Sequence, residues 1–211
     1  MDNDMKTDIL YLGSQSSARR RLLEYAKIHY QIISHGSDET LAFIPATFHE
    51  HVLAIAKHKM QTLDLPEPSA VDGEYMYALT ADTLMRNSVT GEIFGKPTDR
   101  DNAIAMLISE RQAQIEVLTG CCLDKLCRRS NRWGRVDMAH WVTGATIEFC
   151  VDTDAIDQYF SIFPFALQCS GAGVVEDHGL SYLKSISGSY TAVLGLPLYE
   201  LRLELKKMGF K

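Results

Sequence analysis

The stretch from Ile9 to Tyr25 constrains the fold most. The apolar run Ile9-Leu10-Tyr11-Leu12 stops at Gly13, a serine-rich turn follows, and an amphipathic stretch begins behind it. Four apolar residues closed by a glycine read as a short buried strand. Ser14-Gln15-Ser16-Ser17 supplies hydroxyls that can cap a helix running from Ala18 to Tyr25, with Leu22, Leu23 and Ala26 at helical spacing. The same alternation recurs along the chain. Tyr30–Ile33 reads as a strand, and Thr47-x-x-Glu50 has the form of a capping box ahead of Val52, Ile55, Ala56 and Met60. After a Pro- and Gly-bearing loop, Tyr75–Ala81 reads as a strand ending on Asp82, and Leu84–Phe94 as a hairpin around the Asn87–Gly91 turn. Thr98 is placed to cap a helix over Asp99–Ser109. Ile115–Leu123 and Trp141–Val151 read as strands, Asp154–Phe160 as a short helix and Pro164–Gly179 as irregular. Pro197 opens a last helix that Gly209 ends. Interleaved strands and helices define the α/β class.

Composition narrows the function. At 211 residues, 46% apolar and 23% charged, the chain has ordinary globular usage and reads as a single domain over 1–211. A formal net charge of −6 argues against a general nucleic-acid coat, though not against a local basic pocket. No apolar window approaches a membrane span, and no secretory signal stands at the start. The five cysteines form no Cys-x-x-Cys pair, so they read as reduced, mostly buried thiols of a cytoplasmic protein.

Several residues could carry chemistry. Ser14-x-Ser16-x-x-Arg19 lies where a strand feeds a helix, and the free N–H groups of a helix start favour an anion. Hydroxyls and a guanidinium there suit phosphate oxygens. The same residues read equally as a capped helix with a solvated Arg19–Arg21 face. Asp82, at a strand exit, could hold Mg²⁺, activate a water, or merely bond its own turn. Gly95-Lys96-Pro97 is not a Walker loop, because the glycine spacing is short and no Ser or Thr follows the lysine. Pro97 nevertheless biases Lys96 towards an extended backbone, where its amine can serve as a point charge for a triphosphate. Asp38-Glu39 and Lys59 are individually unremarkable charges. His49-Glu50-His51 puts its histidines two apart, which separates them on a helix. The basic run from Lys125 to Arg135 could touch RNA, but reads better as an exposed hairpin.

Taken in order, these segments resemble the Maf family of nucleoside triphosphate pyrophosphatases from about Ile9 to Gly209. The blocks are Leu12-Gly13-Ser14-Gln15-Ser16-Ser17-Ala18-Arg19, Asp38-Glu39, Ala56-Lys57-His58-Lys59, Ala81-Asp82-Thr83, Gly95-Lys96-Pro97, Leu118-Thr119-Gly120 and the late run from Ile186 to Leu198. The resemblance implies a two-lobed Maf/ITPase-like α/β fold with an elongated central mixed sheet and an active-site cleft between lobes. It implies hydrolysis of a nucleoside triphosphate to the monophosphate and pyrophosphate with a divalent cation, Mg²⁺ or Mn²⁺. On matching positions, Ser14, Ser16 and Arg19 would bind phosphates, and Lys59 and Lys96 would neutralise them. Glu39 and Asp82 would hold the metal, and Asp82 would also activate water. No membrane or nucleic-acid partner is implied, and a homodimer is compatible with the family.

The chain departs from the family pattern in places. The usual Ser-Pro-Arg-Arg reads Ser16-Ser17-Ala18-Arg19 here, and a common Tyr-x-Ile-Gln-Gly reads Gly173-Val174-Val175-Glu176-Asp177. Glu176 therefore replaces a glutamine expected to touch the base. An ionised carboxylate only accepts hydrogen bonds, which suits the N1–H and exocyclic amine of a guanine-type or modified base. The 7-methyl-GTP branch of the family carries glutamate here too, whereas Thr83 resembles the uridine/thymidine branch. The competing reading is a nucleotide-binding regulator of cell division or septum formation that works without turnover. Four retained charges, Glu39, Lys59, Asp82 and Lys96, favour the enzyme, because a pure binder needs no water-activating carboxylate.

Overall fold

The structure is a computed structural model and describes residues 8–37, 47–68, 73–111 and 113–211. Its elements, in chain order, are β1 (Leu10–Leu12), α1 (Ser17–Tyr25), β2 (Tyr30–Ile32), α2 (Phe48–Gln61), β3 (Tyr75–Asn87), β4 (Ile93–Phe94), α3 (Arg100–Arg111), β5 (Ile115–Arg129), β6 (Arg132–Phe149), α4 (Ile156–Ile162), β7 (Leu183–Gly188), α5 (Tyr190–Val193) and α6 (Leu198–Lys207). The strands form one mixed sheet in the order β2-β1-β3-β5-β6-β7, with β4 paired to β3. β1 runs parallel to β2 and β3, while β4 and β7 run antiparallel to their partners. This is the expected α/β class, built on a mixed sheet. The chain divides into two units: Met1–Asp82, Gly120–Val142 and Gly195–Lys211 form the first, and Thr83–Thr119 and Thr143–Leu194 the second.

In the first unit, β1 buries Leu10 and Leu12 completely, as a strand with parallel neighbours on both sides should. α1 packs Leu22 and Leu23, and α2 packs Phe48, Val52, Ala56 and Lys59, an i, i+4, i+8, i+11 stripe along one face. The N-cap half of the box is formed, and its two side chains meet: the Thr47 hydroxyl accepts from the Glu50 N–H (3.1 Å) and donates to the Glu50 carboxylate (3.0 Å). Gly209, at φ 79°, ends α6 with its N–H on the Lys206 carbonyl.

The strand expected to end on Asp82 continues to Asn87. The polar Asp82 does not break it, because Lys59 of α2 meets the carboxylate and satisfies it within the strand. The basic run is likewise more structured than a solvated hairpin. Ser130 (φ 49°) and Asn131 (φ 62°) form a two-residue turn between β5 and β6, and both long strands extend into the run. Lys125 donates to the Met208 carbonyl (2.6 Å) and lies 4.4 Å from the Tyr75 ring centroid. Arg135 pairs with Asp124 at 3.0 Å, and Arg128 is buried. Much of this charge is therefore engaged inside the fold.

The second unit has an aromatic core. Tyr159 of α4 and Phe163, just past its end, meet at a tilt with centroids 4.9 Å apart, and Tyr182 and Phe149 close around them among Ile115, Val117, Ile147 and Leu107. Helix α3 is capped by Asp99, not Thr98: the Asp99 carboxylate accepts the Asn102 N–H at 2.8 Å. That bond holds the Asp99 carboxyl below its usual range. The segment 164–179 is a chain of 3₁₀ turns, and β7 follows it without a clear apolar alternation to announce it. None of the five cysteines is in a disulfide, and Cys121, Cys122 and Cys127 are buried. Among the described residues no helix is long and apolar enough to cross a membrane.

Candidate active site

In the first unit, the exit of β1 and the middle of β3 lie side by side. Leu12 pairs with Leu79, and the Gly13 N–H donates to the Leu79 carbonyl at 2.8 Å. The Ser14 turn therefore starts beside the stretch of β3 that leads through Thr80 to Asp82. The carboxyl ends of parallel strands are where α/β sheets commonly receive ligands.

Ser14 and Arg19 are both buried, at 6% and 8% exposure, and they bond one another. The Arg19 Nη1 donates to the Ser14 Oγ (2.9 Å), and its Nε donates to the Gly195 carbonyl (2.8 Å). The Ser14 Oγ also accepts from the Ser16 N–H at 3.3 Å. Arg19 is thus no solvated surface cation: its planar fork ties the turn to the loop that leads into α6. Ser16 is the N-cap of α1, its Oγ accepting from the Arg19 N–H at 3.3 Å.

Lys59 and Asp82 form the other pair. The Lys59 Nζ lies 2.8 Å from Asp82 Oδ1, with the two side chains 6% and 14% exposed. Helix α2 is seated for this contact by two neighbours. The Thr80 hydroxyl, two residues before Asp82 and so on the same strand face, donates to the Ala56 carbonyl at 2.8 Å. Gly120 of β5 has room only for hydrogen where α2 crosses it, since a Cβ would lie 2.8 Å from the Val52 carbonyl oxygen. Asp82 Oδ2 has no hydrogen-bond partner among the described residues. A carboxylate with one oxygen held by a lysine and one open can orient a water or coordinate a hard cation.

In the second unit, the Thr83 hydroxyl bonds the Thr119 hydroxyl (2.8 Å), and Thr119 donates to the Ala192 carbonyl (2.7 Å). Thr119 is fully buried, and the sequence gives it no separate signal beyond its place in a motif. Lys96 is exposed on the loop before α3, and Glu176 is half-buried. Both act on the Cys169 thiol, which burial, followed by the Glu176 charge, pushes up to about 11 while Lys96 works the other way. The Gly171 N–H donates to the Gly95 carbonyl at 3.0 Å, tying the Lys96 loop to the segment that leads to Glu176. Glu39 lies outside the described residues.

The profile of the Maf-like protein family matches residues 9–208. The chain belongs to the Maf family. It is similar to a nucleoside triphosphate pyrophosphatase of Synechococcus sp. (strain CC9311), with 31% identity covering 92% of this chain and 97% of the relative. It is also similar to a dTTP/UTP pyrophosphatase of Colwellia psychrerythraea, 32% identical across 95% of this chain and 89% of that one. A dTTP/UTP pyrophosphatase of Anaeromyxobacter sp. (strain Fw109-5) is 30% identical, with 95% and 89% covered.

A divalent cation fits the donor set on chemical grounds. Asp82 offers an open carboxylate oxygen, and a magnesium ion shared with substrate phosphates needs only one or two protein carboxylates. Among the described residues no group of three His, Cys, Asp or Glu forms a cage able to hold a metal by itself.

Proposed function

We propose that this Maf-family chain hydrolyses a nucleoside triphosphate between its α- and β-phosphates, giving the monophosphate and pyrophosphate. The observation that carries the reading is the Lys59–Asp82 pair, a buried lysine holding one oxygen of a strand carboxylate whose other oxygen is open. The curated names of relatives covering nearly the whole chain support it.

In this mechanism Asp82 orients a water through Oδ2 and accepts its proton as the water oxygen bonds to phosphorus. The anhydride bond breaks and the pyrophosphate leaves. Lys59 holds Asp82 Oδ1 and so aims the carboxylate. Ser14, with the Arg19 guanidinium behind it, and the exposed Lys96 neutralise phosphate oxygens, and Ser16 holds the first turn of α1 in shape to receive them. A divalent cation held by Asp82, together with Glu39, would neutralise the leaving group's charge.

Glu176 contacts the base, and its acceptor-only carboxylate selects a donor-rich edge such as that of guanine or a modified guanine. The names of the relatives, together with Thr83, favour the other choice, thymine or uracil. The test is pyrophosphate release with Mg²⁺ or Mn²⁺ over a panel of dTTP, UTP, GTP and 7-methyl-GTP. Asp82→Asn should lose roughly 10²–10³-fold in turnover on the preferred substrate. Binding of every nucleotide with turnover of none would replace the enzyme by a nucleotide-binding regulator. A preference for dTTP or UTP would remove Glu176 as a guanine selector.

A further inference from the structure

The last turn of helix α3 carries a buried acid that neither the proposed chemistry nor the family motifs use. Glu110 is fully buried, and neither of its carboxyl oxygens has a hydrogen-bond partner among the described residues. Burial alone holds its carboxyl well above the usual range. An orphaned carboxyl is a costly way to fill a core, because an apolar side chain of the same volume avoids the desolvation. Its surroundings are specific. A Cβ on Gly171 would lie 2.1 Å from Glu110 Oε1, and a Cβ on Gly173 3.5 Å from Oε2. Gly171 also sits at φ +65°, so this position suits glycine twice over.

The glycines that Glu110 touches belong to the segment that ends at Glu176. Gly171 donates to Gly95, immediately before Lys96. On the other side Tyr159 clamps the same segment, its hydroxyl donating to the Ala172 carbonyl (2.6 Å) and accepting the Val174 N–H (2.9 Å). The carboxyl of α3 is therefore wedged against the backbone that links the Lys96 loop to the Glu176 segment.

We propose that Glu110 is a positioning residue that sets the Lys96 loop and the Glu176 segment against each other through Gly171. The inference rests on the reading of Lys96 and Glu176 as phosphate and base contacts. The neutral acid fills this space, whereas an ionised one would place an uncompensated charge against it. Among the described residues the groups around it supply no counter-charge. Tyr159 of α4 feels the Glu110 charge, and Cys169 and Tyr182 sit about Tyr159, all three ordinarily neutral near pH 7. Met85 of β3 is apolar, and Ser170–Gly173 carries no titratable side chain.

The sign follows from the raised native value. Native protein keeps the Glu110 proton after unfolded chain has lost it, so stability is fully present below the unfolded carboxylate value. It is lost as pH rises towards the native one, by at most about tenfold in the unfolding constant per pH unit. The test compares wild type, Glu110→Gln and Glu110→Ala by amide hydrogen exchange over 93–97 and 169–176, at matched pH from 6 to 9, with steady-state kinetics alongside.

Glu110→Ala should exchange faster in both segments and raise KM about tenfold, the size expected for roughly one lost positioning contact. Glu110→Gln, which keeps the volume without the ionisation, should restore protection and lack the wild-type loss of protection at alkaline pH. If Glu110→Ala does not fold, the Gln variant alone decides by that pH dependence. Wild-type protection in both segments of the Ala variant, or identical pH profiles for wild type and Gln, would overturn the proposal. Exchange does not depend on turnover, so an inactive wild type would refute the enzyme reading and leave this test standing.

Discussion

Replacing Gly120 by alanine tests how Lys59 is delivered to Asp82. A Cβ at Gly120 would stand 2.8 Å from the Val52 oxygen, 2.9 Å from the Val52 carbonyl carbon and 3.0 Å from the Leu53 Cα, all backbone of α2. Carbon–oxygen contacts settle near 3.3–3.6 Å, so the helix must withdraw by roughly 0.5 Å. It cannot withdraw freely, because the Thr80–Ala56 and Lys59–Asp82 contacts, both 2.8 Å, anchor it to β3. Overpacking of this kind costs about 1–3 kcal/mol. The alanine returns about 0.4–1 kcal/mol by restricting the unfolded chain, since Gly120 is not at positive φ. The net expectation is a loss of about 1.3 kcal/mol, at most about 2.6 kcal/mol, read from the urea midpoint at constant slope. Gly134→Ala is the control, because its nearest neighbour would be 3.8 Å away. Displacing Lys59 by half an ångström should also lower kcat about tenfold, given that a 1 Å misplacement can cost 10²-fold. A Gly120→Ala protein with the wild-type midpoint and wild-type kcat would refute the argument that this glycine seats α2.

Two further substitutions probe the pairs themselves. Lys59→Met should destabilise by about 2–4 kcal/mol because it strands the Asp82 carboxylate, and Asp82→Asn in the same chain should recover at least about 1 kcal/mol of that, a coupling measured by a double-mutant cycle; strictly additive losses would show that the pair is not coupled. Arg19→Lys keeps the charge but cannot reach both the Ser14 hydroxyl and the Gly195 carbonyl, so it should cost about 1–3 kcal/mol and raise KM for the triphosphate, whereas unchanged melting and KM would remove Arg19 from the site's framework.

Features governed by neighbours along the chain were legible. The strand, glycine and serine turn opening α1, the Thr47–Glu50 box opening α2 and Gly209 closing α6 each depend on residues within one helical turn. The candidate site was legible mainly as an ordered set of short blocks, and its geometry was not. Asp82 read as a strand end because a carboxylate inside a strand needs a partner, and that partner is Lys59, supplied 23 positions earlier by another element. Arg19 read as either a phosphate contact or a solvated face, because nothing local reveals that the Gly195 carbonyl, 176 positions away, captures its guanidinium. Glu110 shows the same limit more sharply. At the end of a helix an acid is ordinarily a surface charge, and only the return of Gly171 and Gly173 to that point makes it a buried one. Among the charges that local rules assign to solvent and the fold encloses are Arg19, Lys59 and Glu110. Each is held by, or pressed against, a distant strand or loop, and for Lys59 and Glu110 that segment carries or leads to another member of the candidate site. Burial of a charge at such a junction costs stability unless the contact is made, so these residues report how the site is held together more directly than an exposed charge such as Lys96.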